Sequence, residues 1–248
     1  ALSSERIWIE LQKGLSTAAP DKFIDTLYQC GALHKIMFEF DKRFLHSDNL
    51  RDTAERVGQR TLQALQYLSR LRSERLAVNQ QSSKQDQMLL TAWVICCHAL
   101  EDRTSPKNLV PKSVSKVDYS KSNARILCEQ LTTPNEFKRL AVLGSYYLHI
   151  IIQAKHCNPQ TLVYLLDACD AWRKPDEFGI LLLAAECLTS TNPASPQHNL
   201  DSIALLRQAH KNCLNVEAET FIANGLTGEA IGDAIRGARK VAIAEIKK

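Results

Sequence analysis

The chain has 248 residues, a formal net charge of +4 at pH 7, and 45% hydrophobic and 23% charged residues. This is the composition of an ordinary globular chain, and the small net charge does not by itself indicate a polyanionic partner. No run of eighteen apolar residues is present, which excludes a transmembrane helix, and we identify no signal peptide. We therefore expect a cytoplasmic protein without membrane contact.

Nine glycines and eight prolines are few for this length, so the composition favours an almost entirely helical, all-α fold. The eight cysteines include no C-x-x-C pair, and most lie inside apolar helical runs. We expect buried free thiols in a reducing compartment rather than a disulfide framework or a zinc site.

The first forty residues predict helical hairpins. Ser3 or Ser4 can cap a first helix, and Pro20 can open a second one that ends at Gly31, where glycine can adopt the left-handed conformation. The first helix presents an apolar face made of Ile7, Trp8, Leu11 and Leu15.

The next part predicts a charged amphipathic helix over residues 50–76, a polar loop over 79–85 and a deeply buried apolar helix over 88–100. Residues 103–125 contain six basic residues and one acidic residue, and they predict a long exposed connection. Its cations either contact phosphate or are simply solvated.

Further helices are predicted over residues 125–131, 135–153, 178–188 and 200–213. The polar stretch between the last two, residues 189–199, predicts a linker because it is rich in Ser, Thr, Asn and Pro.

Residues 158–175 predict one complete helix. Asn158 can act as its N-cap, and Pro159 suits the first helical position, where a missing N–H costs nothing. We expect Arg173 and Lys174 in the last turn, where positive charge meets the negative helix end, and Pro175 to prevent continuation.

Three segments carry a resemblance to a known family. They are Ser4–Glu10 through Cys30–Leu33, then Asp167–Pro175, and then Thr220–Lys240. In this order and spacing they resemble the neck, body and tail of bacterial CCA-adding enzymes, the tRNA nucleotidyltransferases. The resemblance implies an irregular multi-helix bundle: the end of the neck helices at 1–45, a degenerate HD-like body at 46–188, the linker at 189–199 and a helical tail at 200–248.

The resemblance also identifies chemistry that this chain lacks. The family's catalytic head holds two Mg²⁺ ions with an Asp-x-Asp pair on a strand after a Gly-rich turn. No Asp-x-Asp occurs here, and the Gly144-Ser145 pair lies inside an apolar helix. Whether the chain is an enzyme stays open. We expect no catalytic residues for nucleotide addition, no cofactor, and no incorporation of CTP or ATP by this chain alone.

The body of many family members resembles an HD phosphohydrolase, in which a His-Asp pair binds a divalent metal. At the place of that pair the sequence has His98 followed by Ala99, and Gln59 stands where a preceding His is expected. An imidazole without its carboxylate partner cannot hold a catalytic cation. We expect no metal ligand here and a packed core histidine at position 98.

The tail segment has two features that suit RNA. Leu226-Thr227-Gly228 predicts a turn whose N–H groups at a helix N-terminus suit a phosphate oxygen. Arg236, Arg239 and Lys240 are expected to project from the helix that follows. Judged alone, these residues fit an ordinary solvated helix equally well, but the resemblance favours RNA contact.

We expect the chain to hold the acceptor and T arms of tRNA or tRNA-like RNA by phosphate and shape contacts. The candidate RNA-binding residues, expected on surfaces free of competing carboxylates, are Arg173, Lys174, Gly228, Arg236, Arg239 and Lys240.

The alternative is a helical protein-interaction scaffold or dimerisation module. In that case the neck hairpin would expose an apolar patch and pair with a partner or a second copy. The patch would consist of Leu2, Ile7, Trp8, Leu11 and Phe23.

Overall fold

The computed structural model describes residues 2–42, 54–77, 83–100, 119–190, 196–223 and 225–247. Within these ranges the chain forms thirteen α-helices, two short 3₁₀ helices and no strand, so the all-α prediction is confirmed. The predicted connection at 103–125 lies outside the described residues up to residue 118, and so does most of the polar loop at 79–85.

The helices are α1 (Ser4–Leu15), α2 (Pro20–Gln29), α3 (Ala32–Ile36), α4 (Phe38–Asp41), α5 (Ala54–Ala77), α6 (Ser83–His98), α7 (Asn123–Gln130), α8 (Asn135–Ile152), α9 (Pro159–Ala168), α10 (Pro175–Ser190), α11 (Pro196–Leu214), α12 (Ala218–Ala223) and α13 (Glu229–Ile246). Short 3₁₀ helices cover Tyr119–Lys121 and Ala154–His156. Among the described helices, none is long and apolar enough to cross a membrane.

Helices α6, α8 and α10 form the centre of the molecule, because each packs against the other two. Residues 92–97 of α6 are all fully buried. A helix that is apolar on all sides must be surrounded by other helices, so α6 occupies the middle of the core. The prediction of a deeply buried helix here is confirmed, and the helix begins earlier than expected, at Ser83.

Gly144 allows α6 and α8 to approach closely. A Cβ atom at this position would lie 2.5 Å from Cγ1 of Val94, closer than two carbon atoms can pack. Val94 is fully buried and cannot move into solvent. The glycine in this apolar helix is therefore explained by helix packing.

The neck hairpin begins and turns as the sequence predicts. The Ser3 side chain accepts a hydrogen bond from the Arg6 N–H, Pro20 is the first residue of α2, and Gly31 has a left-handed φ of 71°. Arg72 of α5 donates to the carbonyl groups of Ser16 and Thr17. Helix α5 thus satisfies carbonyl oxygens just beyond the end of α1.

The exposed patch that the alternative interpretation placed on the neck hairpin is wrong at its centre. Trp8 packs edge-on against Trp93 and Phe137, each with ring centroids 4.9 Å apart, and it is only 4% exposed. Leu11 is 2% exposed, and of the expected patch only Leu2 is freely exposed. Helix α1 is covered by α6 and α8, so this face is part of the core.

Six of the eight cysteines are buried, so the predicted burial is confirmed for these six, whereas Cys30 is exposed and Cys157 half-buried. Burial raises the pKa of Cys96 to about 12 and that of Cys169 to about 12. These two thiols stay protonated at neutral pH.

The predicted linker at 189–199 is shorter than expected. Thr189 is 1% exposed and its hydroxyl donates to the Glu186 carbonyl at 3.0 Å, so α10 continues to Ser190. Helix α11 starts at Pro196, where proline suits the first helical position. The intervening residues 191–195 lie outside the described part of the chain.

Replacement of Gly144 by alanine should lower the free energy of unfolding by about 1–3 kcal/mol, because the added methyl group overlaps Val94. Gly179→Ala in α10 is the matched control, since a Cβ there would meet no atom within 4 Å. The control should stabilise by up to about 1 kcal/mol through helix propensity. Urea unfolding of both variants tests this, and equal stabilisation by both would contradict the close helix contact.

Candidate nucleic-acid interface

Helix α9 starts as predicted. The Asn158 side chain accepts a hydrogen bond from the Thr161 N–H at 2.8 Å, and Pro159 is the first helical residue. Leu162, Leu165 and Leu166 are fully buried. The local signals for this helix start are therefore confirmed.

The predicted end of this helix is wrong. Helix α9 stops at Ala168, because Asp170 adopts a left-handed φ of 54° and the Ala171 N–H returns to the Leu166 carbonyl at 2.9 Å. This closure satisfies the free carbonyl groups of the last turn. Pro175 does not end a helix but begins α10.

Arg173 and Lys174 consequently lie in the turn between α9 and α10. The Lys174 carbonyl already accepts from the Phe178 N–H at 3.1 Å, so Lys174 stands at the N-terminal end of α10. A proline can either prevent one helix from continuing or occupy the first position of the next helix. The sequence pattern at Pro175 was therefore ambiguous.

Trp172, in the same turn, holds the tail helix against the body. Its Nε1–H donates to Oδ1 of Asp167 at 2.6 Å, and the Arg239 guanidinium of α13 lies 3.7 Å from its ring centroid. Arg239 also lies 3.7 Å from the Asp167 carboxylate. We call Asp167, Trp172 and Arg239 the tail anchor.

Arg239 is therefore not a projecting cation. Its side chain is 15% exposed, and burial lowers its pKa, while the Asp167 carboxylate acts in the opposite direction. Its backbone carbonyl accepts a hydrogen bond from the Cys213 thiol of α11 at 3.7 Å. The expectation that Arg239 projects into solvent is wrong, because the aromatic face of Trp172 offers it a site within the molecule.

The tail anchor joins two segments that each carry a pair of cations. Arg173 and Lys174 directly follow Trp172, and Arg236 and Lys240 lie within one helical turn of Arg239. All four have exposed side chains. We call the surface that they define the turn–tail surface.

The expectation of surfaces free of carboxylates is also wrong for three of these cations. Arg173 binds both carboxylate oxygens of Asp170, at 2.7 and 3.1 Å, and this hydrogen bonding raises its pKa. The ion pairs of the other two are Lys174 with Glu177 at 2.8 Å and Arg236 with Asp233 at 2.5 Å. Lys240 forms no ion pair with a described residue.

Arg139 of α8 fixes the turn from beneath. It lies 2.7 Å from Glu177 and 3.8 Å from Asp170, and its side chain is only 30% exposed. Both carboxylates are thus shared between a half-buried arginine and an exposed cation. Charges from α8, the turn and α10 thus meet here.

The turn predicted before the tail helix is present. Gly225 and Gly228 have positive φ angles of 82° and 57°, and the Leu226 N–H donates to the Phe221 carbonyl at 3.1 Å. Gly228 directly precedes α13, and no side chain caps that helix start. The first backbone N–H groups of α13 are therefore not bonded by a capping side chain.

The far end of α13 is fixed as well. The Lys247 ammonium donates to the carbonyl groups of Lys155 and Cys157, at 2.8 and 2.5 Å. Ile243 is fully buried, where α13 packs on α9 and α11. The tail is therefore docked on the body along its length.

The expected site of the degenerate metal pair lies at the end of α6. His98 is half-buried rather than fully buried, between Cys97 and Ala99, of which Ala99 is 2% exposed. Within the described ranges, no three His, Cys, Asp or Glu side chains lie together so that they could hold a metal ion.

Sequence reasoning missed Asp167, Trp172 and Arg139 as residues that shape this surface. Asp167 and Trp172 belong to Asp167–Pro175, one of the three segments that carry the family resemblance. That resemblance was the available signal in the sequence. Arg139 follows Pro134 in an ordinary amphipathic helix, and no local pattern marks it.

Comparison with known proteins identifies similar sequences. No protein-family model matches the chain. It is 27% identical to the multifunctional CCA protein of Thioalkalivibrio sulfidiphilus over 248 residues, which cover 100% of this chain and 57% of the relative. It is 28% identical to the multifunctional CCA protein of Tolumonas auensis over 231 residues, which cover 93% of this chain and 53% of the relative. It is 29% identical to that of Laribacter hongkongensis over 247 residues, which cover 100% of this chain and 58% of the relative.

The chain spans about half the length of these curated relatives. The resemblance that three segments indicated is confirmed, and it extends over the whole chain. The partial coverage is consistent with a C-terminal region of a CCA-adding enzyme.

Replacement of Arg239 by methionine should lower the free energy of unfolding by about 1–2 kcal/mol, since it removes a half-buried cation–π contact but keeps an apolar stem. Arg236→Met is the matched control on the same helix and should cost less than about 0.5 kcal/mol. Urea unfolding and hydrogen exchange of α13 measure both effects. Equal stability of the two variants would contradict the tail anchor.

Proposed function

We propose that the chain binds tRNA or tRNA-like RNA across the turn–tail surface, and that it holds the acceptor and T arms by phosphate and shape contacts. The observation that supports this most is the tail anchor, which joins the turn that carries Arg173 and Lys174 to the helix that carries Arg236 and Lys240. The similarity to multifunctional CCA proteins supports a tRNA-related ligand.

The ion pairs on this surface do not prevent phosphate binding. Arg173 is 83% exposed and Arg236 47% exposed, and water screens exposed ion pairs of this kind, so each contributes little to stability. A phosphate group can therefore replace the carboxylate at little cost. Lys240 needs no such exchange, so it offers the most direct contact.

Rigidity supports recognition by shape. A-form RNA presents a wide, shallow minor groove and regularly spaced phosphates, so a protein recognises it with cations held at fixed positions. Arg139 holds the turn, and Arg239 and Lys247 hold the tail. In this proposal Arg239 is a positioning residue that contributes to binding through Trp172.

Glycine in the tail helix also suits a close external contact. Gly237 lies on the exposed face of α13 between Arg236 and Lys240, and a Cβ atom there would meet nothing within 4 Å. Glycine in a helix interior costs about 1 kcal/mol relative to alanine, and no packing contact within the described protein requires it here. A nucleic-acid backbone could approach closely at this position.

We propose no catalytic role for this chain on its own. No Asp-x-Asp pair occurs in the sequence, and His98 is followed by Ala99 rather than by a carboxylate. Binding is then the contribution of this region to tRNA chemistry.

The double variant Arg236→Ala/Lys240→Ala should weaken tRNA binding. It should also flatten the slope of log affinity against log salt by about 1.5 units, because each lost phosphate contact contributes about 0.7–0.9. Arg239 is left intact so that the tail stays docked. Fluorescence anisotropy with a labelled tRNA transcript at several salt concentrations measures both quantities.

The matched control is Lys22→Ala/Lys35→Ala, which removes the same charge from exposed positions on α2 and α3. The control should bind almost as the parent does. If the tail variant has the parent's affinity and slope at every salt concentration, the turn–tail surface is not the RNA site.

The variant Asp233→Asn should bind tRNA more tightly, by up to about fivefold, because Arg236 no longer has to leave a carboxylate worth up to about 1 kcal/mol. Glu10→Gln on α1 is the control, since Glu10 forms the same i,i+3 pair with Lys13 at 2.8 Å. Equal affinities for the two variants would mean that Arg236 does not contact phosphate.

A further inference from the structure

We propose that a cavity between α6, α10 and α11 binds one unpaired base of the RNA. This inference rests on the proposed RNA-binding function, and it adds a contact to a base to the phosphate and shape contacts proposed above. The cavity has a volume of about 250 Å³ and is lined by residues of all three helices. We call it the α10 cavity.

The α10 cavity lies beside the turn that carries two of the candidate RNA-binding cations. Pro175 directly follows Lys174, and Pro175 and Asp176 both line the cavity and are exposed. Helices α6 and α11 pack against α10 and contribute the remaining walls. An RNA strand whose phosphates contact Lys174 therefore passes close to the opening.

The size of the cavity suits a single ring rather than a large ligand. Pockets that enclose a drug-sized molecule have volumes of about 300–1,000 Å³, and the α10 cavity is smaller than this. Ile180 and Leu183 line it as well, and both are buried. They provide an apolar surface against which a flat ring can pack, while the rest of the ligand stays outside.

Gly179 keeps the cavity open. It lines the cavity, and a Cβ atom at this position would meet no atom within 4 Å. Glycine is unfavourable in the interior of a helix, and close packing among the described residues does not require it here. Space for a ligand accounts for a glycine that the packing of α10 does not need.

Two polar side chains on the cavity wall can bind the edge of a base. Gln87 of α6 is half-buried, and its amide both donates and accepts hydrogen bonds, whereas the Asp176 carboxylate only accepts them. Neither side chain forms a hydrogen bond or ion pair with another residue in the described part of the chain. Both are therefore available to a ligand.

Arg207 of α11 adds a flat cationic surface to the wall. Its Nη2 donates to Oε2 of Glu186 at 2.7 Å, which fixes the guanidinium through a carboxylate that is only 19% exposed. Unpaired RNA bases stack on arginine planes, and polar side chains then bind their edges. The α10 cavity combines these elements with an apolar surface, which favours a nucleobase over other small rings.

Asp176 should make the site selective among the bases. A carboxylate accepts a hydrogen bond from the exocyclic amino group of adenine, cytosine or guanine, but it is repelled by the O4 carbonyl oxygen of uracil. We therefore expect the cavity to prefer a base with an amino group.

The test compares RNA hairpins that differ only in one unpaired nucleotide beside the duplex. Fluorescence anisotropy with the full chain should show that a hairpin with an unpaired A, C or G binds at least about fivefold more tightly than a blunt hairpin, because stacking of one base improves affinity by at least this factor. The hairpin with an unpaired U should gain less.

Variants of the chain locate this preference. Gly179→Leu fills the cavity and should abolish the preference, whereas Ala204→Leu, at an exposed position of α11 outside the cavity, should retain it. Asp176→Asn, which adds an N–H donor, should improve binding of the unpaired U relative to the other bases. Circular dichroism checks that each variant is folded.

Free nucleotides provide a second measurement, which needs neither RNA binding nor a variant. In NMR spectra of the ¹⁵N-labelled chain, AMP should shift the amide signals of Asp176, Gly179 and Ile180, and UMP at the same concentration should shift them less.

The possible outcomes separate this inference from the proposed function. If the parent binds all hairpins equally, including the blunt one, the base site is wrong while RNA binding stands. If AMP shifts the three signals but no hairpin is preferred, the cavity takes a free nucleotide and the inference is also wrong. If no hairpin binds at all, the proposed function is wrong and this inference fails with it.

Discussion

The contact between Arg239 and Trp172 is the interaction on which the surface of this protein depends. It joins the tail helix to the turn between α9 and α10, and Asp167 completes it by binding the indole N–H and lying close to the guanidinium. A cation over an aromatic face with a carboxylate beside it is stronger where water is excluded. Further along α13, the buried Ile243 and the Lys247 ammonium also hold the tail.

Charge on the turn–tail surface is organised in two layers. Arg139 and Arg239, half-buried or more, hold Glu177, Asp170 and Asp167 in place. The exposed cations form the outer layer, in which Arg173 also binds Asp170 and Lys174 also binds Glu177. The inner ion pairs are therefore stronger than the outer ones, since burial strengthens the inner contacts and solvent weakens the outer ones.

Local signals in the sequence correctly predicted the features that depend only on neighbouring residues, such as helix starts and turns. Asn158, Pro159 and Gly31 act through the backbone of their own turn, and the structure confirms them. The end of α9 depends on Asp170 in a left-handed conformation, which residues other than glycine seldom adopt, so no pattern indicated it. Arg239 was expected in solvent, because its partner Trp172 lies far away in sequence. The alternative scaffold interpretation placed Trp8 in an exposed patch for the same reason.

Site-specific photo-crosslinking tests whether RNA lies across the junction of the turn and the tail. A benzophenone side chain at Val241, which is 59% exposed beside Lys240, is compared with one at Ile9, which is 46% exposed on α1. We predict crosslinks to tRNA from position 241 and almost none from position 9. Crosslinking from position 9 with none from position 241 would contradict it.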